Sequence, residues 1–395
     1  MLYPQQRLRL LRLAVVVALI GGSSTGTQAT HPPVPPLQWE AGSFSHLPLC
    51  GVGDLATYVD SLEHPESYTA LTVARATQVR AMFDAIHSAI TAMIGGDFSV
   101  NWGVAVAAAS AAGYRLGRYY DTVSYRWFLV GEDSAGTGQA YFIINPEPKR
   151  DLIVEAPHVY ATNDKLEGLT DTEGVLILRQ TLGRALLING ADRCQDSPED
   201  APGSCGGTFS SANVCPGSKE DDPYRPSDVA HNIDNAFHVL HQKFTDVSAS
   251  TQFVQLHGNG DARLPRGGLS VSDGRTTAHA ASLATRFVTN IQELPTGALA
   301  ASAVNDCTTE ANILCGTRNV QGRYTNDPTA CCNGGRMSQG GTRFLHLEQR
   351  RGAPSLIDQP QPVIDALRAT IECSGSCSLP AQGIPNPPTV CAGGL

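Results

Sequence analysis

Four short apolar segments are each followed by an ionisable side chain that could bind a metal ion or transfer a proton. LIVEAP leads to His158, RALLINGAD to Arg193, TQFVQL to His257 and RFLHL to Glu348. If these segments are neighbouring parallel strands, their carboxyl ends meet at one edge of a sheet, where ligand sites of such sheets lie. The pattern therefore predicts one site built from four strand ends.

Two imidazoles and one carboxylate can hold a catalytic zinc ion and leave one coordination position for water. His158 and His257 are the predicted imidazole ligands of Zn2+, and Glu155 is the nearest carboxylate. Strand alternation places residues 155 and 158 on opposite faces, so the backbone must turn at Pro157 for both to reach one ion. The alternatives for the third ligand are Asp164, Glu167 and His231.

The other two residues of the set have predicted roles in hydrolysis. Glu348 is the predicted base, which takes a proton from the attacking water and passes it to the leaving amine. Arg193 is the predicted clamp for a substrate carboxylate, because its planar guanidinium offers two parallel donors. An ion pair of Arg193 with Asp192, or with the acidic loop that follows, is the alternative.

A second group of histidines lies in SDVAHNIDNAFHVLHQKF, residues 227–244. Its apolar spacing predicts a helix with Ser227 as the N-cap. One side of that helix would carry His231, Asp234, His238 and His241. Such a cluster could bind a metal by itself or orient the ligands of another site, and a polar helix face against the sheet edge is the alternative.

The order of elements predicts an α/β fold with a mostly parallel, mixed sheet flanked by helices, an N-terminal helical region and disulfide-rich loops. Helices are expected at 69–94, 104–117 and 172–183, and a hairpin at 124–132 and 139–147. The predicted organisation is a signal peptide at 1–29, a Pro-rich linker at 30–48, a helical region at 49–118, a catalytic domain at 119–370 and a Cys-rich tail at 371–395.

The N-terminal segment is typical of a secretory signal, with three arginines, the apolar run LAVVVALI and small residues near Ala29. We expect cleavage near Ala29 and a secreted or periplasmic protein without a membrane anchor; an uncleaved anchor is the alternative. Loss of three arginines and no acidic residue would change the net charge from −9 to −12. This charge disfavours nucleic acid as a partner.

All eleven cysteines lie beyond the predicted signal. An oxidising environment favours disulfides, which would leave one cysteine over. A zinc cluster would need regular C-x2-C pairs, and the nearest approach to one is Cys373-x3-Cys377.

The segments LIVEAPH, LLINGADR, QLHGNGD and FLHLEQRRG, within about residues 139–355, resemble N-formylglutamate amidohydrolases and their relatives in the zinc carboxypeptidase-like hydrolase superfamily. The resemblance implies a phosphorylase/hydrolase-like sheet. It also implies metal-ligand and base roles for a Pro-His motif after a strand, a later strand-end histidine and a late glutamate near arginine. His158, His257 and Glu348 match these positions.

The sequence departs from that family in three places. Val159 stands where a small residue is expected, and the carboxypeptidase order H-x-x-E is inverted as Glu155-x-x-His158. LLINGADR only loosely matches an Asn-Arg substrate clamp. The first two departures concern the carboxylate ligand, and the third concerns the substrate.

We expect an exported zinc-dependent hydrolase that cleaves an amide or peptide bond next to a carboxylate. Its substrate would be a small acidic acyl-amino acid, a γ-glutamyl polymer or a cell-wall peptide. The alternatives are an exported binding protein that has lost catalysis on the same scaffold, and a metal-dependent phosphoesterase. No glycine-rich loop opens a helix and no G-x-S-x-G is present, which disfavours nucleotide binding and serine-hydrolase chemistry. The sequence carries no signal for a particular oligomeric state.

Overall fold

The computed structural model describes most of the chain between residues 47 and 377. The described residues are 47, 49–62, 64–65, 67–97, 99–159, 169–195, 224–259, 268–275, 280–294, 301–304, 315–327, 343–350, 356–375 and 377. They belong to one compact unit. The predicted signal peptide, most of the linker and most of the Cys-rich tail lie outside them. Within these ranges, no helix has the length and apolarity needed to cross a membrane.

The elements alternate between strands and helices over most of the chain. The strands are β1 (Leu49–Gly53), β2 (Tyr114–Asp121), β3 (Arg126–Asp133), β4 (Tyr141–Ile144), β5 (Leu152–Ala156), β6 (Ala185–Ile188), β7 (Gln252–Asn259), β8 (Leu269–Ser272), β9 (Ala301–Val304) and β10 (Phe344–Arg350). The helices are α1 (Leu55–Asp60), α2 (Val73–Ile94), α3 (Gly103–Ala111), α4 (Thr170–Thr181), α5 (Ala236–Val247), α6 (Leu283–Glu293), α7 (Val320–Asn326) and α8 (Gln361–Thr370).

The strands of the described part form one mixed sheet in the order β1-β2-β3-β4-β6-β5-β7-β10-β8-β9. In its centre, β6, β5, β7 and β10 run parallel to one another. On one side β2, β3 and β4 continue the sheet with antiparallel pairings, and on the other side β8 runs antiparallel to β10. The predicted α/β architecture with a mixed sheet is confirmed. The four strands that lead to the predicted site residues are the parallel neighbours.

Helices cover both faces of the sheet, because strand alternation gives each face its own apolar side chains. One face, called the α5 face, packs against α2, α3 and α5 through residues such as Phe83, Phe237 and Phe253. Helix α7 joins this face, where it contacts α5 and β10. The opposite face, called the α4 face, packs against α1, α4, α6 and α8 through residues such as Val254 and Leu345.

The predicted helix at 227–244 begins eight residues late. The N-cap of α5 is Asn235, whose side-chain oxygen accepts from the backbone N–H of His238 at 2.7 Å. Ser227 was therefore the wrong N-cap, and a turn precedes the helix, in which Asn232 Nδ2 donates to the carbonyl of Asp228 at 3.1 Å. His231 lies in this turn and not on the helix.

The predicted N-terminal helical region is part of the same sheet. Helix α2 lies within the predicted range, but α3 ends at Ala111, and β2 begins within the range that was predicted as helix. The turn between them contains Gly113 with φ +77°, where a Cβ would lie 2.8 Å from the Arg75 guanidinium. Since β1 pairs with β2, residues 49–118 contribute two strands as well as three helices.

The end of the described chain is tied to the sheet. Cys373 and Cys377 form a disulfide, which favours the disulfide interpretation of this pair over a zinc pair. Cys50, Cys194 and Cys315 are also disulfide-bonded. Next to the disulfide, the buried guanidinium of Arg150 donates to backbone carbonyls at both the end of α4 and the end of α8.

Candidate metal centre

A buried group of two histidines and one glutamate lies on the α5 face, towards the carboxyl ends of β7 and β10. His257, His346 and Glu348 each offer a ligand atom, and these atoms lie within 4.8 Å of one another. The rings of His257 and His346 have centroids 4.5 Å apart, and His346 Nε2 lies 3.4 Å from Glu348 Oε1. A buried set of this kind could hold a metal ion.

Strand register explains why these side chains meet. Glu348 of β10 is the register partner of His257 of β7, and neighbouring strands lie about 4.8 Å apart. His346 precedes Glu348 by two residues, so both point to the same face. The ring of His346 packs against Gly316, whose φ is +59°, and a Cβ there would lie 2.8 Å from the ring.

His346 is not among the residues predicted from the sequence. The segment RFLHL predicts a buried strand, and in that prediction the functional residue is Glu348, which follows the segment. The signal that would have found His346 is the alternation of Phe344, His346 and Glu348 on one face with Leu345 and Leu347 on the other. This alternation is typical of a strand with one functional face.

The structure places Glu155, the predicted carboxylate ligand, one row below the group. Its register partner on β7 is Gln255, two residues before His257. His241 Nδ1 lies 2.7 Å from Glu155 Oε1, and Gln255 Nε2 donates to Glu155 Oε2 at 3.0 Å. Both oxygens are thus engaged beneath α5, and Glu155 does not belong to the His257 group. Glu155 is a buried partner of the strand and of α5, and its role as a metal ligand stays a prediction.

The other predicted ligand, His158, lies beside the group. The ring centroids of His158 and His257 are 5.0 Å apart. His158 Nε2 lies 3.0 Å from Asp228 Oδ1, and Arg193 Nη1 lies 3.1 Å from His158 Nδ1. A cation at Nδ1 would therefore lie next to a guanidinium, which sets His158 apart from the group of His257, His346 and Glu348.

Asp228 is the carboxylate that connects this second cluster. It accepts from Arg193 Nη2 at 3.0 Å, and His231 Nδ1 lies 2.9 Å from its Oδ1. Burial alone would raise the pKa of Asp228, but Arg193, His231 and His158 outweigh burial and hold this pKa well below its usual range. Burial lowers the pKa of His231, whose ring stacks on Tyr224 at a centroid distance of 3.6 Å.

Asp228 is also not among the residues predicted from the sequence, because a single aspartate close to an expected helix start is ordinarily a capping residue. The structure places it among three cationic or potentially cationic side chains instead. Arg193, for which an ion pair with Asp192 was the alternative, pairs with Asp228. Asp192 Oδ1 accepts from the backbone N–H of Cys194 at 2.7 Å.

The predicted histidine cluster of α5 does not assemble into a site of its own. His241 contacts Glu155, and His231 contacts Asp228. His238 is fully buried, and burial holds its pKa well below the usual value for histidine. The remaining alternatives for a third ligand, Asp164 and Glu167, lie outside the described residues.

No known family model matches this sequence, and no curated protein matches it significantly. The protein is therefore described by its fold and its candidate site. It is an α/β protein with a mixed sheet and a buried His/His/Glu group at the carboxyl ends of two central parallel strands.

Proposed function

We propose that the chain is an exported zinc-dependent hydrolase with a phosphorylase/hydrolase-like sheet, and that it cleaves an amide or peptide bond next to a carboxylate. The observation that carries this proposal is the approach of ligand atoms from His257, His346 and Glu348 to within 4.8 Å of one another. Two imidazoles and a carboxylate match the ligand sets of catalytic zinc sites. Their position at the carboxyl edge of parallel strands matches where α/β sheets bind ligands.

The proposed ligand set differs from the one predicted from the sequence. His346 replaces Glu155, whose oxygens are engaged below the group. Glu348 becomes a ligand instead of the base, because its carboxylate belongs to the group. His158 is released from the ligand set, since its two ring nitrogens face Asp228 and Arg193.

When bound at this group, zinc would polarise the substrate carbonyl and lower the pKa of water to about 7. His158 is then the proposed general base. Its ring lies 5.0 Å from that of His257, centroid to centroid, at the border of the group. In the proposed tautomer, Nε2–H donates a hydrogen bond to the Asp228 carboxylate, so Nδ1 is the nitrogen that takes a proton from water and passes it to the leaving amine.

Arg193 is the proposed clamp for the substrate carboxylate. Its Nη1 contacts His158 Nδ1, and its Nη2 donates to Asp228. A substrate carboxylate that pairs with the guanidinium replaces His158 as the partner of Nη1 and leaves Nδ1 able to accept a proton. Binding of an acidic substrate thus prepares the base. This coupling favours small acidic acyl-amino acids and γ-glutamyl or cell-wall peptides as substrates.

One observation favours the alternative, an exported binding protein without catalysis. The guanidinium of Arg193 already has the Asp228 carboxylate as an ion-pair partner at 3.0 Å. In such a site, an acidic ligand could replace Asp228 or His158 as the partner of Arg193. The ligand would then be bound without being cleaved. Metal binding separates the two functions, because only the hydrolase requires it.

The test combines metal analysis with substrate cleavage by the purified protein. We expect about one zinc per chain, hydrolysis of N-acyl-glutamate or γ-glutamyl peptides, loss of activity with a chelator and recovery on adding zinc. His87→Ala, which removes a histidine from α2 outside the site, is the matched control and should retain metal and activity. A folded protein that binds no zinc and cleaves none of these amides would contradict the proposal.

A further inference from the structure

Gln255 lies between Glu155 and His257 and contacts both. The three residues line the α5 face of β5 and β7, where Glu155 and Gln255 are register partners and His257 follows two residues later. Gln255 Nε2 donates to Glu155 Oε2 at 3.0 Å. At its other end, Gln255 Oε1 lies 2.8 Å from His257 Nε2. The orientation of the Gln255 amide therefore determines whether His257 Nε2 faces a hydrogen-bond donor or an acceptor.

Glu155 fixes that orientation from below. Its Oε2 can only accept from Gln255, whether the proton shared with His241 lies on the imidazole or on Oε1. The NH2 group of Gln255 must then face Glu155. His241 is itself held in place, because its Nε2 lies 2.8 Å from Thr325 Oγ1, and this hydroxyl donates to the carbonyl of Gln321 at 3.0 Å.

Two residues of α7 and its cap fix the same orientation independently. Gln321 Nε2 donates to the backbone carbonyl of Val229 at 2.8 Å, so Gln321 Oε1 is the atom that accepts from Gln255 Nε2 at 3.4 Å. Asn319 Oδ1 accepts from the backbone N–H of Gly322 at 2.9 Å as the N-cap of α7. The amide nitrogen of Asn319 is thereby turned to donate to Gln255 Oε1.

All of these contacts place the carbonyl oxygen of Gln255 against His257. A carbonyl oxygen can only accept, so the ring nitrogen that faces it must carry a proton. We infer that Gln255 is a positioning residue that holds His257 as the Nε2–H tautomer and leaves Nδ1 as its ligand atom. The choice of Nδ1 as ligand atom rests on the proposed function; the tautomer itself does not.

The inference assigns a role to both Glu155 and His241, whereas a ligand role for Glu155 would leave its contact with His241 unexplained. Both are fully buried; Glu155 lies on β5 level with Gln255, and His241 reaches it from α5. By orienting Gln255, they determine which ring nitrogen of His257 is protonated and which one has an available lone pair. Partners of metal-bound histidines commonly set the tautomer in this way and change metal affinity by about 10- to 100-fold when they are removed.

The direct test is nuclear magnetic resonance of the metal-free, full-length protein labelled with 15N-histidine. At about pH 8, above the ordinary histidine pKa of about 6.5, the ring signals report which nitrogen is protonated. The His257→Gln variant assigns the His257 signals among those of eleven histidines. We expect the Nε2–H form. An Nδ1–H form in the wild-type protein would overturn the inference.

Variants at position 255 give a second readout that a merely structural role would not produce. Gln255→Leu should yield a mixture of His257 tautomers and a zinc affinity lower by about 10- to 100-fold in chelator competition. Gln242→Leu, on α5 and away from the group, is the matched control and should change neither. Retention of the Nε2–H form in a folded Gln255→Leu protein would contradict the role of Gln255.

The exchange of amide and carboxylate makes the test sharper. Gln255→Glu alone places two carboxylates against each other, and Glu155→Gln alone removes the obligate acceptor that orients Gln255. The double variant restores a donor at position 155 and an acceptor at position 255, so it should recover the wild-type tautomer. The Nε2–H form without zinc binding would sustain the tautomer and reject the proposed hydrolase. Zinc-dependent activity with an Nδ1–H form would do the reverse.

Discussion

His158 follows β5 and His257 lies near the end of the neighbouring parallel strand β7; the two rings lie side by side, yet their partners give them different chemistry. His158 lies between ions, with the Asp228 carboxylate at Nε2 and the Arg193 guanidinium at Nδ1. His257 Nε2 rests on the neutral amide of Gln255. An imidazole backed by a carboxylate is the stronger base, whereas one backed by an amide is suited to remain a neutral ligand.

The difference arises from the layer that supplies each partner. Asp228 comes from the turn before α5, and Arg193 comes from the loop after β6, so the His158 cluster depends on segments outside the sheet. Gln255 comes from the same strand as His257 and is tied to β5 and α7. Two histidines with similar sequence context thus differ in role because of the charge of their partners.

The largest effect is expected on zinc content, which distinguishes the His257 group from the His158 cluster. His346→Ala removes a proposed ligand from the His257 group and should weaken zinc binding by more than about 100-fold, beyond the loss of a supporting partner. Activity should vanish with the metal. Zinc content after dialysis and chelator competition measure this change.

The matched comparison is Glu155→Gln. This variant replaces the carboxylate ligand predicted from the sequence with an amide of the same shape, so the strand and its packing are kept. Because it removes only the acceptor that orients Gln255, zinc affinity should fall by no more than about 10- to 100-fold, less than in His346→Ala. If His346→Ala keeps its zinc while Glu155→Gln loses it, the ligand set predicted from the sequence is correct and the one proposed from the geometry is not.

Next in size is the effect of His158→Ala on turnover. Because His158 is the proposed base and not a ligand, kcat/KM should fall by about 10²- to 10⁴-fold while the zinc content stays near one per chain. The steady-state rate and the zinc content of the same preparation give the answer. Loss of zinc together with activity would assign His158 to the metal instead.

A smaller effect is expected at Arg193. Arg193→Met should lower kcat/KM by about 10- to 100-fold for a substrate with a free carboxylate, the range for loss of a charged hydrogen bond. The same substrate with that carboxylate converted to an amide should lose little. Equal losses for both substrates would show that Arg193 serves only to hold Asp228 and His158.

A buried carboxyl on the α4 face, away from both histidine clusters, extends the comparison to stability. Glu173 of α4 accepts from Gln349 Nε2 at 2.8 Å, and its Oε1 has no hydrogen-bond partner among the described residues. Burial raises the pKa of Glu173 from 4.5 to about 8. Asp228, which has cationic neighbours, shows the opposite shift.

The sign of the resulting pH dependence follows from proton binding. Between pH 4.5 and about 8 the native state holds a proton on Glu173 that the unfolded state has lost. Its contribution to stability is full below pH 4.5 and declines by about 1.4 kcal/mol per pH unit up to the native pKa. Glu173→Gln keeps a neutral side chain of the same shape and should remove this slope in urea unfolding.

Asp228→Asn is the control for that measurement. The pKa of Asp228 is lowered in the native state, so its contribution is present at neutral pH and declines only as the pH falls below the ordinary range for aspartate. Since the variant also removes the carboxylate partner of His158 and His231, the two slopes are compared between pH 7 and 8, above the ordinary histidine pKa of about 6.5, where the variant should match the wild type. An unchanged slope in Glu173→Gln would show that Glu173 is ionised in the native protein.

The fold was largely predictable because its signals are local. Alternation of apolar runs and amphipathic stretches predicted the α/β sheet, and the hairpin of β3 and β4 pairs as expected. The start of α5 was wrong, because Ser227 and Asn235 are both good N-caps and local propensity does not choose between them. Strand β1 was not predicted, since its pairing with β2 depends on residues far away in the sequence.

The site was predictable in part. The parallel order of β6, β5, β7 and β10 brings the four predicted strand ends to one edge of the sheet. What the sequence could not supply was register, which pairs His257 with Glu348 and Glu155 with Gln255. Without register, Glu155 is merely the nearest carboxylate along the chain. Asp228 was missed because it arrives from a turn whose path over the sheet has no sequence signal.

The alternation of β10 makes the proposed metal centre sensitive to chain length more than to composition. An insertion of one residue inside the strand, directly after Phe344, would exchange the two faces for all of the residues that follow. Leu345 and Leu347 would then face α7, and the two ionisable side chains would enter the apolar packing of the α4 face. The loops between these strands can therefore vary in length without moving the His257 group. A single insertion or deletion inside β7 or β10 would separate His257 from His346 and Glu348.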